Sequence, residues 1–157
     1  MRRTRVRTLA VLAVAVAALG FVLLRLLESR GVFVPGGAWV EVVALALLAA
    51  LVLRAGWGVR SYLRGDKPGL DPLRAARTFA MAKAAAYTGA LLTGRYVAHV
   101  LVVLPQLDVE ARRDQAITSG VAALAAIGLT VVGLVVEKFC EIPPPEDEPD
   151  STEAVAP

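Results

Sequence analysis

The sequence predicts an all-α membrane protein with four transmembrane helices arranged as two hairpins. Its 157 residues are 57% hydrophobic with a mean hydropathy of +0.62, and the charges are concentrated in blocks between apolar segments. This composition is typical of membrane proteins. Four apolar segments each approach the ~20 residues that a helix needs to cross a ~30 Å hydrocarbon core. We expect a transmembrane domain at 1–140, with spans at about 8–27, 38–59, 77–104 and 116–137.

The first two spans have recognisable boundaries. Residues 9–24 are uninterrupted apolar sequence after the basic start MRRTRVR. A cleaved signal peptide is the competing interpretation, but the apolar run continues past the small triplet at 18–20, where polar mature sequence would begin. In the second span, Trp39 and Trp57 are 18 residues apart. That is roughly 27 Å along a helix, about the distance between the two aromatic belts of a bilayer.

The third and fourth spans are equally well marked. Asp71 followed by Pro72 predicts a helix start, because Asp caps the first turn and Pro needs no backbone donor there. We expect this helix to run to Leu104 and to stop at Pro105. Residues 116–136 contain 21 residues without a charge and predict the fourth span.

Basic residues predict the orientation of the spans. They precede the first span and are dense around the connection between the second and third, while the other two connections carry few uncompensated cations. The positive-inside rule therefore places both termini and the middle connection in the cytoplasm of a bacterial cell, as a multi-pass plasma-membrane protein. The residues that we assign to topology and lipid headgroups are Arg54, Arg60, Arg64, Arg74 and Arg77.

The C-terminal tail at 141–157 has six acids, no base and five prolines. Such a segment cannot bury apolar surface or continue a helix, so we expect it to be disordered. A solvated tail is the simplest interpretation, and docking against the basic middle connection is the alternative.

Two cations, Lys83 and Arg95, lie inside the third span. An unpaired charge costs at least ~2.5 to 3.5 kcal/mol at the centre of a bilayer, so we expect acidic partners from other spans. Glu137 ends the fourth span on the side of Lys83, and Glu41 begins the second span on the side of Arg95. We therefore predict two ion-pair layers, Lys83 with Glu137 and Arg95 with Glu41.

These charged residues also have other interpretations. The long stem of Lys83 allows its amino group to snorkel back to the headgroups. Charges within a membrane are functional candidates by default, so a ligand or ion role stays open. His99 lies four residues after Arg95 and shares its face. We interpret it as a packed amphipathic residue in preference to a proton relay.

The third span also carries a ladder of small residues. In lipid, small side chains let helices approach closely and drive packing where hydrophobicity cannot. The fourth span offers a matching small surface at Ala122, Ala126 and Thr130. The helix-packing residues that we predict on the third span are Ala82, Ala86, Ala90, Gly94 and the neighbouring Gly89.

The residue inventory argues against most catalytic and metal-binding chemistry. One Cys and one His cannot form the usual nitrogen and sulfur ligand set, so we expect no metal site. No Ser/His/Asp, paired-carboxylate or phosphate-loop arrangement is present, so we expect no enzyme activity and no cofactor. The formal charge of +3 is explained by membrane orientation, and we expect no nucleic acid partner.

Four short motifs lie between residues 72 and 143: PLRAAR at 72–77, AKA at 82–84, GALLTG at 89–94 and EKFCEIP at 137–143. With them the sequence resembles the actinobacterial DUF3180 family, a domain of unknown function, and the likeness extends over essentially the whole chain up to the acidic tail. The resemblance implies a small integral membrane protein without an established activity. Members are often encoded near folate-biosynthesis genes, which implies at most an association with that pathway. The resemblance also singles out Lys83 and Glu137.

Two functions are compatible with this sequence. The first is a non-enzymatic accessory or scaffold protein that packs, in the lipid bilayer, with a second copy of itself or with another membrane protein. The alternative is an oligomeric carrier or channel subunit for a small anionic metabolite, which the resemblance would link to the folate pathway. No span is visibly broken at mid-membrane, which favours the first function.

Overall fold

The computed structural model describes residues 5–32, 39–63 and 72–139, and every regular element in them is helical. Helix α1 comprises Val6–Ser29, α2 Trp39–Leu63, α3 Pro72–Val103 and α4 Glu110–Phe139. A short 3₁₀ turn, Leu104–Gln106, follows α3. The all-α prediction is confirmed for the described residues, which contain no strand.

All four helices are long and apolar enough to cross a membrane. Their apolar parts are Val6–Ser29, Trp39–Gly58, Ala76–Gln106 and Glu110–Phe139, and each overlaps one of the four predicted spans. α1 in particular is covered by exposed apolar side chains, which water would solvate poorly and lipid would solvate well. The helices therefore fit a multi-pass membrane protein. The predicted Asp71 cap and the acidic tail lie outside the described residues.

α3 ends close to the position that Pro105 predicts. Its α-helical part stops at Val103, and the chain continues as the 3₁₀ turn that contains the proline. Pro105 has no backbone N–H to donate, and in an α-helix its ring would clash with the carbonyl four residues earlier. α4 then begins at Glu110, six residues before the predicted start of the fourth span at 116. The first turns of α4 are therefore polar.

α3 and α4 lie at the centre of the bundle, and α1 and α2 lie on opposite sides of α3. α3 and α4 share the most extensive contact, α1 packs on α3, and α2 packs on α4 and less extensively on α3. Within the described residues, α1 makes no contact with α2. The predicted two hairpins therefore need a correction. α3 and α4 form a packed hairpin, whereas α1 and α2 flank it, because the small residues that permit the closest approach are concentrated on α3 and α4.

Glycines set the spacing between α3 and α4. A Cβ atom added at Gly89 would lie 2.8 Å from the carbonyl oxygen of Ala126, and one at Gly133 would lie 2.7 Å from that of Ala82. Carbon atoms do not approach oxygen that closely without a shift, so the two backbones are in direct contact at both points. Because positions rise along α3 as they fall along α4, the two helices are antiparallel.

α1 runs parallel to α3. A Cβ atom at Gly94 would lie 2.5 Å from the Ala13 carbonyl oxygen, and one at Gly20 would lie 3.1 Å from the Ala98 Cβ atom. Both contacts advance in the same direction along the two helices. α1 and α3 therefore finish together, beside the start of α4, at what we call the Glu28 end of the bundle. They begin together at the opposite end, which we call the Arg5 end.

We expect Gly133→Ala to lower the free energy of unfolding by about 1 to 3 kcal/mol, the usual cost of overpacking. The added methyl group would overlap the α3 backbone. Gly128→Ala is the matched control, because it lies on the same helix and a Cβ atom there has no neighbour within 4 Å. Reversible unfolding in lipid bicelles measures both variants. Equal stabilities would contradict the direct contact between α3 and α4.

Candidate functional site

Charged and polar side chains of α2 and α3 meet in the half of the bundle nearest the Glu28 end. We call them the polar cluster, and its members are Glu41, Arg95, Tyr96 and His99. Glu41 lies in the first turn of α2, where the positive end of the helix dipole stabilises a carboxylate. The other three lie within five consecutive residues of α3. The cluster therefore joins α2 to the central helix.

Tyr96 makes the shortest link in the polar cluster. Its hydroxyl donates a hydrogen bond of 2.7 Å to the Glu41 Oε2 atom. The Tyr96 side chain is buried, with 2% of its surface exposed. Hydrogen bonds to a charged acceptor are stronger than neutral ones, so this contact stabilises the carboxylate inside the bundle. The sequence analysis missed Tyr96, although its position next to Arg95 and three residues before His99 is a usable signal.

Arg95 lies beside the same carboxylate. Its Nη1 atom is 3.8 Å from Glu41 Oε2, which is an ion pair but longer than a hydrogen bond. The two side chains are 48% and 38% exposed. The guanidinium carbon also lies 5.3 Å from the centre of the Tyr96 ring. The structure thus brings Arg95 and Glu41 together, as their positions at one side of the spans predict.

His99, like Tyr96, is buried, with 4% of its surface exposed. The charges of Arg95, Glu28 and Glu41 act electrostatically on its ring. Ser119 of α4 is also fully buried, and its hydroxyl has no hydrogen-bond partner among the described residues. The α3–α4 register places Ser119 opposite about residue 98, about half a helical turn from the Tyr96 level.

A second ion pair, between Glu28 and Arg112, ties α1 to α4 at the Glu28 end. The Arg112 Nη1 atom donates a hydrogen bond of 2.9 Å to Glu28 Oε1. Both side chains are about a fifth exposed, at 22% and 23%. The sequence analysis treated Arg112 as part of a connecting loop and missed this pair. Because α4 begins at Glu110, the Arg112 side chain leaves the helix toward Glu28. The sequence does not show where α4 begins, and the structure does.

The predicted ion pair between Lys83 and Glu137 is wrong. Both residues lie in the described part of the chain, and no ion pair within 4.0 Å joins them. Gly133 lies against Ala82, so Glu137, one turn further along α4, lies nearer the Arg5 end than Lys83 does. Glu137 is buried and Lys83 is half-buried. The two residues therefore differ in depth, which sequence position alone did not reveal.

The two cations of α3 also differ in their access to a bilayer surface. In the antiparallel register Lys83 lies opposite about residue 134, only about 3 Å inside the charge-free part of α4 at 116–136. Its Cα–Cβ bond tilts toward the N-terminus of α3, which is its nearest surface. Arg95 lies opposite about residue 122, about 9 Å inside, and its tilt is away from its nearest surface. Lys83 is placed to snorkel, and Arg95 is not.

The predicted small residues are buried but serve two neighbours. Gly89 lies against α4, at Ala126 and Thr130, and Gly94 lies against α1, at Ala13 and Val16. Ala90 packs with Leu9 of α1. The ladder is therefore shared between α4 and α1. Its buried members are Ala82, Ala86, Gly89, Ala90 and Gly94.

The predicted topology arginines are only partly within the described residues. Arg54 and Arg77 are exposed near the Arg5 end of α2 and α3. Arg60 and Arg74 belong to the helical segments, and their side chains are outside the described part. Arg64 lies outside the described residues altogether. Among the residues that the structure describes, no group of three or more His, Cys, Asp or Glu side chains is placed to hold a metal ion.

Two apolar helices flank a close-packed central pair, and these four helices define the class: the described residues form an all-helical structure that fits a multi-pass membrane protein. The particular family follows from a direct comparison. The model of the DUF3180 family, described as a protein of unknown function, matches residues 9–144, and the chain belongs to this family. No curated protein and no solved structure matches the chain.

The hydrogen bond in the polar cluster gives a double-mutant test. We expect Tyr96→Phe and Glu41→Gln to be coupled by about 0.5 to 1.5 kcal/mol in unfolding free energy, the range for polar contacts between membrane helices. Tyr96→Phe with Glu28→Gln is the control, because Glu28 bonds to Arg112 and not to Tyr96. Additive effects for Tyr96 and Glu41 in bicelles would remove the link that we describe.

Proposed function

We propose that this protein is a non-enzymatic accessory or scaffold protein of the bacterial plasma membrane, which packs with a second copy of itself or with another membrane protein. The observation that carries the proposal is the filled centre of the bundle. At Gly89 and Gly133 the α3 and α4 backbones leave no room for even a methyl group. A solute route between these central helices would require them to separate.

The intramembrane charges support the same proposal. Glu41 accepts a hydrogen bond from Tyr96 and pairs with Arg95, and Glu28 bonds to Arg112. These contacts fasten α2 and α1 to the central pair, which is a structural task. Charged side chains that hold helices together in this way need no substrate to account for them.

The distribution of exposed cations supports an orientation with both termini in the cytoplasm. Arg5, Arg7, Arg54 and Arg77 are exposed near the Arg5 end. At the Glu28 end the cations are accompanied by acids, including Glu28 bonded to Arg112. By the positive-inside rule the Arg5 end faces the cytoplasm. The same orientation places the C-terminal end of α4, and the sequence that follows it, on the cytoplasmic side.

One observation favours a second candidate, an oligomeric carrier or channel subunit for a small anion. The Arg95 side chain is 48% exposed although it lies within a candidate span. A cation at that depth attracts anions, and a folate-pathway metabolite is the class that the family resemblance would suggest. Four short helices are few for a carrier, so this function requires several copies around a shared route.

Uptake into proteoliposomes separates the two candidates. With radiolabelled folate and with inorganic phosphate as probes, we expect uptake by the reconstituted protein to equal that of protein-free liposomes, because the central helices are in direct contact. An Arg95→Gln variant is the matched control. Saturable uptake that disappears in Arg95→Gln would overturn the scaffold proposal and establish the carrier.

A further inference from the structure

One face of α3 is exposed along most of the span. Its residues follow one another at steps of three or four, so they form a single strip. α1 packs on α3 at Gly94, and α2 reaches α3 at Tyr96. On a helical wheel the strip lies between these two positions and faces away from α4. We call it the α3 strip, and it consists of Ala80, Ala84, Thr88, Leu91 and Arg95.

The α3 strip has the width and composition of a helix-packing surface. α1 and α2 flank it on opposite sides of α3 and do not contact each other within the described residues, so the strip stays uncovered between them. Ala80, Ala84 and Thr88 are small and would allow another helix to approach closely. The strip carries no charge until it reaches Arg95.

Arg95 shows which chemical group a partner on the α3 strip must supply. Its guanidinium has five N–H donors, and its contact with Glu41 at 3.8 Å is too long to be a hydrogen bond. About half of the side chain is exposed, at 48%, on the open face. In an apolar environment such donors require acceptors. The partner must therefore bring a negatively charged acceptor to the depth of Arg95.

Glu41 meets this requirement when it comes from a second copy. It is the one acid that the described parts of α1 to α4 place between the two charged ends of the bundle, and 38% of its side chain is exposed. A two-fold axis along the membrane normal keeps every residue at its own depth. Arg95 of one copy then meets Glu41 of the partner subunit, and the reverse contact forms by symmetry.

We propose that the α3 strip is the contact surface between two copies of this chain, with Arg95 of each copy beside Glu41 of the partner subunit. This inference rests on the proposed scaffold function and names its partner. The exposed ion pair of one chain is half of a reciprocal contact, in which two carboxylates and two guanidinium groups share their hydrogen bonds.

A charge-exchange experiment tests the reciprocal contact. In a homodimer of the Glu41→Arg variant, each contact between the two copies contains two cations. In a homodimer of the Arg95→Glu variant, each of these contacts contains two acids. Mixing the two restores both opposite-charge contacts between chains while the pair within each chain stays broken. In liposomes, with donor and acceptor dyes on separate chains, we expect each variant alone to dimerise at least about tenfold more weakly than the parent. The mixture is expected to recover most of that loss.

The recovery also shows that both variant chains fold. A matched control exchanges the charge of Arg54, which is exposed near the opposite end, and is expected to leave the energy transfer of the parent unchanged. A parent protein that stays monomeric at all protein-to-lipid ratios would overturn the inference. So would parent dimers whose affinity neither variant changes. A mixture that dimerises no more tightly than either variant alone would overturn it as well. If Arg95→Glu loses bound anionic lipid without any change in dimerisation, the α3 strip binds lipid, and this result would also overturn the inference. None of these results creates solute uptake, so the scaffold proposal is judged separately.

Discussion

The direct contact between the backbones of α3 and α4 is the constraint on which the rest of the structure depends. Gly89 and Gly133 allow this contact, and alanines such as Ala82 and Ala126 extend it. Lipid tails are as apolar as leucine, so membrane helices gain little from burying large apolar side chains and gain more from close approach. The two helices with the most small residues therefore become the centre of the bundle, and α1 and α2 become its flanks.

This arrangement explains why the two cations of α3 have different surroundings. Lys83 lies near one surface, and its side chain leaves its helix in the direction of that surface. Arg95 lies deeper, and its side chain leaves the helix in the direction away from its nearest surface. It therefore needs a negatively charged partner within the bilayer. Glu41 provides it, held by the hydroxyl of Tyr96. Because α1 and α2 lie on opposite sides of α3, the same arginine remains half exposed on the α3 strip between them.

The sequence was sufficient for the four helices and for the pair of Arg95 and Glu41, because hydropathy, proline positions and the depth of a charge are local properties. It was not sufficient for the order of the helices. Short connections favour packing between helices that are adjacent in sequence. Which helices lie at the centre depends instead on the side-chain volumes of all four. The Lys83–Glu137 pair was wrong because Lys83 lies on the same side of α3 as Gly94, which faces α1, whereas Glu137 belongs to α4. Glu28–Arg112 was missed because Arg112 was assigned to a loop that the structure replaces with the first turn of α4.

The order of the four helices is the central claim, and the distance between α1 and α2 tests it most directly. Val14 and Val43 are exposed at similar depths on these two helices. Both accept spin labels in a Cys140→Ser background, diluted with unlabelled protein to suppress contacts between copies. With α3 between them, we expect a distance distribution centred at or beyond about 20 Å, two interhelical spacings. A distribution centred at about 10 Å, one spacing, would place α1 directly against α2 and contradict the account.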